Sequence, residues 1–214
     1  EMRTCLVGSE MCIRDSLPVI FMPAGPMSSG LPNEEKANVR KAFAKGEVSR
    51  EELIKAESKA YHGEGTCTFY GTANSNQIIM EIMGVHIPGA AFVHPNSDLR
   101  HAYNVLAVEQ AVKINSKGRD VRPIGKIIDE RSFVNAIIGL LATGGSTNHT
   151  LHLPAMAAAA GIKLLWEDFD DLSKIIPLLS KVYPNGSSDI NQFHAAGGVS
   201  SVSYTHLRAH ETSP

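Results

Sequence analysis

Apolar residues in this chain fall in short blocks divided by glycine, proline and polar clusters, and the period of the blocks changes along its length. Leu17-Pro-Val-Ile-Phe-Met22 is an apolar run closed by Pro23, the pattern of a buried parallel strand. It runs into Ala24-Gly-Pro-Met-Ser-Ser-Gly-Leu-Pro-Asn33, a loop punctuated by glycine and proline. Asn33 is placed to cap a charged helix ending near Gly46. Ser49-Arg-Glu-Glu52 is a capping-box pattern and opens an Ala- and Glu-rich helix to about Tyr61.

Beyond a loop at residues 65–74, an apolar helix is expected around Ser75 to Met83. After the Pro88-Gly89 turn and the His94-Pro95-Asn96 loop, Ser97 caps a helix reaching Lys117, with Gly118 as its stop. Further helices are expected at roughly Asp129 to Ala142 and His149 to Ala160, the latter ended by Gly161. Lys163 to Trp166 reads as a short strand, and Asp170 to Ser180 as a helix interrupted by Pro177. Strands alternating with helices point to an α/β class in which helix dominates. No internal repeat or low-complexity segment interrupts this order.

Composition narrows the function classes. The 214 residues carry 43% hydrophobic side chains and a formal charge of −2, the balance of an ordinary globular protein. No basic excess marks a nucleic-acid partner, and no apolar run is long enough to span a membrane. Three cysteines do not make a disulfide scaffold and fit a reducing cytoplasm. The nine histidines are scattered, with no HExxH or other dense metal spacing.

Chemistry concentrates in Gly65-Thr-Cys-Thr-Phe-Tyr-Gly-Thr-Ala-Asn-Ser-Asn-Gln77. Glycines at 65 and 71 permit close backbone approach, and the short polar side chains give hydrogen-bonding groups without bulk. For Cys67, residue chemistry leaves three readings open: a buried structural thiol, a metal ligand, or a nucleophile with His62 as its base. A second segment, Thr143-Gly-Gly-Ser-Thr-Asn-His149, places two glycines before a helix start. That suits an anionic oxygen, though a helix C-cap at Gly144 followed by an N-cap at Ser146 or Thr147 explains the pattern equally well. Gly145, Ser146, Thr147 and Asn148 are therefore candidate substrate contacts. Ser28 and Ser29 lie where a strand would end, the usual ligand edge of an open α/β sheet, or in an ordinary turn. Asp168, Asp170 and Asp171 suit a solvated helix start, His94 a solvated loop, and Met80, Met83 and Met156 the core.

The segments 65–77 and 144–148 closely resemble those of the dihydroxy-acid and phosphogluconate dehydratase family of iron–sulfur lyases. Phe69-Tyr70, His94-Pro95, His149 and Thr150 resemble the branch acting on phosphogluconate. The resemblance runs from Leu17 to Gly198. Residues 1–16 and 199–214 do not match the family and read as translated adaptor or assembly sequence, which sets Cys5, Cys12, His206 and His210 aside.

The resemblance implies a helix-rich α/β piece of the three-layer N-terminal domain, in which Cys67 holds an iron–sulfur cluster of the 4Fe-4S type. It implies a hydro-lyase that dehydrates 6-phospho-D-gluconate to 2-dehydro-3-deoxy-6-phosphogluconate in the Entner–Doudoroff route. In that family's expected mechanism a base would take the C2 proton, and the cluster would supply Lewis acidity toward the departing C3 hydroxyl. A cytoplasmic homodimer follows from the same source, with Mg2+ in the full-length parent. In that family two further cysteine ligands lie upstream, and the serine proposed as base lies in a downstream segment; neither matching segment is present. The chain by itself is therefore expected to be inactive. The alternatives are a dihydroxy-acid or sugar-acid dehydratase of the same family, or a non-catalytic assembly relic.

Overall fold

The computed structural model describes residues 17–202 apart from Ser116 and Arg119; Cys5, Cys12, His206 and His210 lie outside the described residues. The elements are α1 (Asn33–Ala44), α2 (Arg50–Ala60), α3 (Thr72–Ile82), α4 (Asp98–Ile114), the single turn α5 (Ile124–Ile127), α6 (Glu130–Thr143), α7 (His149–Ala159), α8 (Trp166–Ser173) and α9 (Ile190–Ala195).

The strongest boundaries carry side-chain caps. Ser49 and Glu52 form the reciprocal capping box that opens α2, and the Ser97 hydroxyl accepts the Arg100 N–H at the start of α4. Asp129 and Ser132 do the same for α6, which ends on Gly144 at φ +62°. That left-handed cap is strained for any residue with a Cβ, so the glycine is structurally required.

α3 is the central element. Ile78 faces a core cluster with Tyr70, Phe92, Val182, Ile190 and Phe193. Ile79 and Met83 face a second cluster with Phe133, Ile137, Leu140, Leu153 and Phe169. A helix buried on both sides must approach its neighbours closely, and α6 allows this at Gly139. A Cβ there would stand 2.3 Å from the Ile82 side chain. Met83 is fully in the core, and Met80 and Met156 pack against it as expected.

Several boundaries differ from the sequence expectations for identifiable reasons. α1 is entered through Pro32, whose carbonyl accepts the Lys36 N–H, so Asn33 sits inside the helix and makes no cap. α3 starts at Thr72 because the Gly71 carbonyl accepts both the backbone N–H and the hydroxyl of Ser75. α4 stops at Ile114, where Asn115 turns the chain by accepting the Lys117 N–H on its side chain. α8 begins at Trp166 because the Asp168 carboxylate caps the Leu165 N–H, and it ends at Ser173, before Pro177.

Among the described residues the extended segments form isolated bridges and no sheet. Residues 17–22 do not form the expected buried strand: Leu17 and Phe21 are exposed, and the bonds diverge, Phe21 N–H donating to Val85 and the Leu17 carbonyl accepting from Ile124. Residues 163–165 likewise form no strand.

Candidate functional site

The Cys67 loop is held between three distant parts of the chain. On one side it forms a parallel bridge with the 25–27 segment: Thr66 N–H donates to the Gly25 carbonyl at 2.8 Å and Met27 N–H to the Thr66 carbonyl at 2.9 Å. Gly65, at φ +113°, makes this approach possible, since a Cβ would lie 2.7 Å from the Gly25 oxygen and from the Met27 nitrogen. On the other side Ile190 N–H donates to the Thr68 carbonyl, and Tyr70 N–H to that of Tyr183. From below, Asn74 of α3 donates to the carbonyls of Cys67 and Phe69.

Cys67 itself is half-buried, and its Sγ lies 3.8 Å from the Phe69 carbonyl, a weak contact. The thiol is held by its backbone and leaves its sulfur largely uncommitted. His62 is engaged elsewhere. Its Nδ1 lies 3.1 Å from the Lys59 carbonyl and its Nε2 3.1 Å from the Ser28 hydroxyl. Because a carbonyl only accepts, Nδ1 carries the proton in the neutral ring, and Nε2 accepts from Ser28. The base for a Cys67 nucleophile is thus paired with a serine instead.

Ser29 sits one residue further along the same exposed loop. It donates to the Asp189 carboxylate and accepts from Asn191 Nδ2 at 3.0 Å. The short helix α9 therefore joins the two loops: Asp189 and Asn191 hold Ser29, and Ile190 holds Thr68. Sequence reasoning missed α9 altogether, although Asp189 followed by Gln192 forms a capping box.

The 144–148 loop meets the same end of α3. Thr72 and Ser146 share a hydroxyl hydrogen bond of 2.9 Å, Asn148 Nδ2 donates to the Thr72 hydroxyl at 2.8 Å, and Ser146 N–H donates to Ser75 Oγ at 2.9 Å. Gly145 is required here, since a Cβ would meet Leu140 Cδ1 at 2.6 Å and Ser75 Oγ at 3.0 Å. The N–H groups of Gly144, Gly145, Ser146 and Asn148 are all bonded within the protein. What this loop offers a ligand is the exposed side chains of Thr147 and Asn148. His149 is buried beside His152, and burial lowers its pKa, so it stays neutral.

The 5–211 stretch matches the family profile described as dihydroxy-acid/6-phosphogluconate dehydratase N-terminal. The chain belongs to the dihydroxy-acid/6-phosphogluconate dehydratase N-terminal family. It is similar to the phosphogluconate dehydratase of Rhizobium meliloti, 61% identical over 183 residues, which are 86% of this chain and 30% of that protein. Its similarity to the phosphogluconate dehydratase of Escherichia coli K12 is 56% over 183 residues, with the same shares. The dihydroxy-acid dehydratase of a Hydrogenobaculum species is 32% identical over 205 residues, 92% of this chain and 36% of that protein. The chain thus spans about a third of the length of these curated relatives.

Family membership turns attention to the cluster that the resemblance implies. Cys67 is the one cysteine among the described residues, and no three His, Cys, Asp or Glu side chains converge there to hold a metal ion. The half-buried, uncommitted sulfur fits one ligand position of such a cluster. The described residues offer that single thiol and no second cysteine. Asp170 and Asp171 both pair with Lys174 at 2.9 Å, as suits a solvated helix end.

Proposed function

We propose that this chain is part of a phosphogluconate dehydratase, a hydro-lyase that converts 6-phospho-D-gluconate to 2-dehydro-3-deoxy-6-phosphogluconate in the Entner–Doudoroff route. The observation that carries the reading is the meeting of the thiol loop and the 144–148 loop on one end of α3, through Thr72 and Ser75. It occurs within a stretch similar to proteins of that name at more than half identity. Exposed hydroxyl and amide side chains suit a polyhydroxylated substrate better than an apolar one.

In this reading Cys67 is one ligand of an iron–sulfur cluster of the 4Fe-4S type. When bound, that group supplies Lewis acidity toward a hydroxyl leaving group. The chain's own residues bind and orient: Thr147 and Asn148 at one side, Ser28 and Ser29 at the other, contact oxygens of the sugar acid. Gly145 and Ser146 set the loop geometry that presents them. The base and the Mg2+ ligands belong to the rest of a longer parent, so this chain alone is inactive. The α/β three-layer domain, the cytoplasmic location and the homodimer are further parts of the proposal. So is the division into a dehydratase portion, 17–198, between foreign stretches at 1–16 and 199–214. Sequencing the flanking DNA tests that division directly.

The function is tested on the full-length enzyme purified without oxygen, with 6-phosphogluconate and 2,3-dihydroxyisovalerate as competing substrates and Cys67→Ser as the variant. Turnover of the phosphosugar, lost together with iron in the variant, supports the reading. Preference for the dihydroxy acid moves the protein to the sister branch, and a variant with full iron and full activity removes Cys67 from the site.

A further inference from the structure

We propose that Asn74 is the positioning residue of the Cys67 loop, acting on the backbone around the thiol and not on the sulfur. The inference rests on the reading of Cys67 as a cluster ligand and adds the residue that fixes its geometry.

Asn74 is fully buried, in the first turn of α3. Its Nδ2 donates to the Cys67 carbonyl at 2.6 Å and to the Phe69 carbonyl at 2.7 Å. Its Oδ1 accepts from Thr66 Oγ1 and from Gln77 Nε2, each at 2.8 Å. Gln77 in turn accepts the Gly25 N–H at 2.9 Å on its Oε1. Direction runs one way through this row. Gly25 N–H only donates, which sets the sense of the Gln77 amide; that sets Asn74, whose NH2 must then face the two carbonyls.

Asparagine is a poor helix residue, and a buried one is costly unless both ends of its carboxamide are satisfied. Here both are, by groups of the 66–69 loop and by Gln77, which is itself anchored on the Gly25 N–H. Beyond the single bridge at Thr66, residues 67–69 belong to no helix or strand, so this amide supplies order that regular structure would otherwise give. Aspartate has the same shape but would set an oxygen against two carbonyl oxygens.

The test uses the full-length enzyme, purified without oxygen, as Asn74→Asp and Gln77→Glu, with Ser132→Ala as a remote buried control. Iron per chain is followed during chelator challenge. Alkylation of Cys67 in the metal-free protein is followed by peptide mass spectrometry. Asn74→Asp is expected to lose iron about 10–100-fold faster, in the range for groups that orient metal ligands. Gln77→Glu should shift the same way, Ser132→Ala should behave as wild type, and the Cys67 alkylation rate should change with the first two only. If Asn74→Asp does not fold, Gln77→Glu decides. Wild-type iron retention and alkylation in folded Asn74→Asp, or in Gln77→Glu alone, would overturn the proposal. Cys67→Ser that keeps its iron would instead defeat the ligand reading, and the alkylation rates would still decide whether Asn74 positions the loop.

Discussion

Glu81 and Arg100 grip the same loop from opposite sides. The Glu81 carboxylate accepts the N–H groups of Gly89 and Ala91, while Arg100 donates to the carbonyls of Ala90 and Val93. Both side chains thereby serve backbone groups that no helix or strand satisfies. The Val93 oxygen lies where a Cβ on Gly25 would stand, so the grip extends to the 25–27 segment beside Cys67. Arg100→Met removes a buried donor from two carbonyls and should cost about 2–4 kcal/mol. Urea denaturation measures it, and a change within experimental error would show that the loop holds without the guanidinium.

Acid should weaken the fold through buried histidines. His86 is buried next to Arg100, and burial with that positive neighbour lowers its pKa to about 4, well below the ordinary histidine value of 6.5. The unfolded chain therefore binds a proton between pH 6.5 and 4 that the native state refuses. Stability conferred by neutral His86 is complete above that window and falls as pH drops through it, by about 3 kcal/mol at most. Burial lowers His149 and His194 with the same sign, while burial raises Glu81, which opposes them below neutrality. Denaturation curves across this window should be flatter for His86→Gln; an unchanged slope would mean that His86 titrates normally.

Tyr70 and Thr143 join the thiol loop to the end of α6. The Tyr70 hydroxyl lies 2.6 Å from Thr143 Oγ1, which itself donates to the Gly139 carbonyl, so the phenol is the donor. Burial raises the Tyr70 pKa and keeps it protonated for that role. Thr143→Val leaves both partners short of a bond in the core and should destabilise by about 1–3 kcal/mol. Tyr70→Phe should cost less, and the double variant should fall short of the sum, because both remove one hydrogen bond.

His62 should not govern Cys67 reactivity. Its two nitrogens engage Lys59 and Ser28, so His62→Gln in metal-free protein is expected to leave the pH dependence of Cys67 alkylation unchanged. A clear upward shift of that profile would restore the cysteine–histidine pair as a chemical unit.

Which features the sequence makes legible follows from how local their causes are. Ser49 and Ser97 announce their helices because cap and capped N–H lie three residues apart. Gly144 likewise declares a C-cap from its own backbone. α3 starts earlier than its apolar period suggests because Ser75 bonds back to Gly71, a polar cause that hydrophobic spacing does not register. Residues 17–22 read as a buried strand because an apolar run carries no record of its partners; here Leu17 and Phe21 stay exposed and no partner strand pairs with the run among the described residues. At the site, Cys67 and the 144–148 loop stand out by residue type. The pairing of Ser28 with His62, and of Ser29 with Asp189, depends on which loops the fold sets side by side, and no spacing along the chain encodes it.

The closure of Ser29 on Asp189 spans 160 residues. During synthesis at roughly 5–20 residues per second, about 8–30 s pass between the emergence of the two. For the later part of that interval the nascent chain carries Cys67 but lacks the segment that covers Thr68. The thiol therefore spends its first seconds outside the tunnel unsheltered, open to oxidants and to any carrier that delivers metal, and it gains its native enclosure only when α9 arrives.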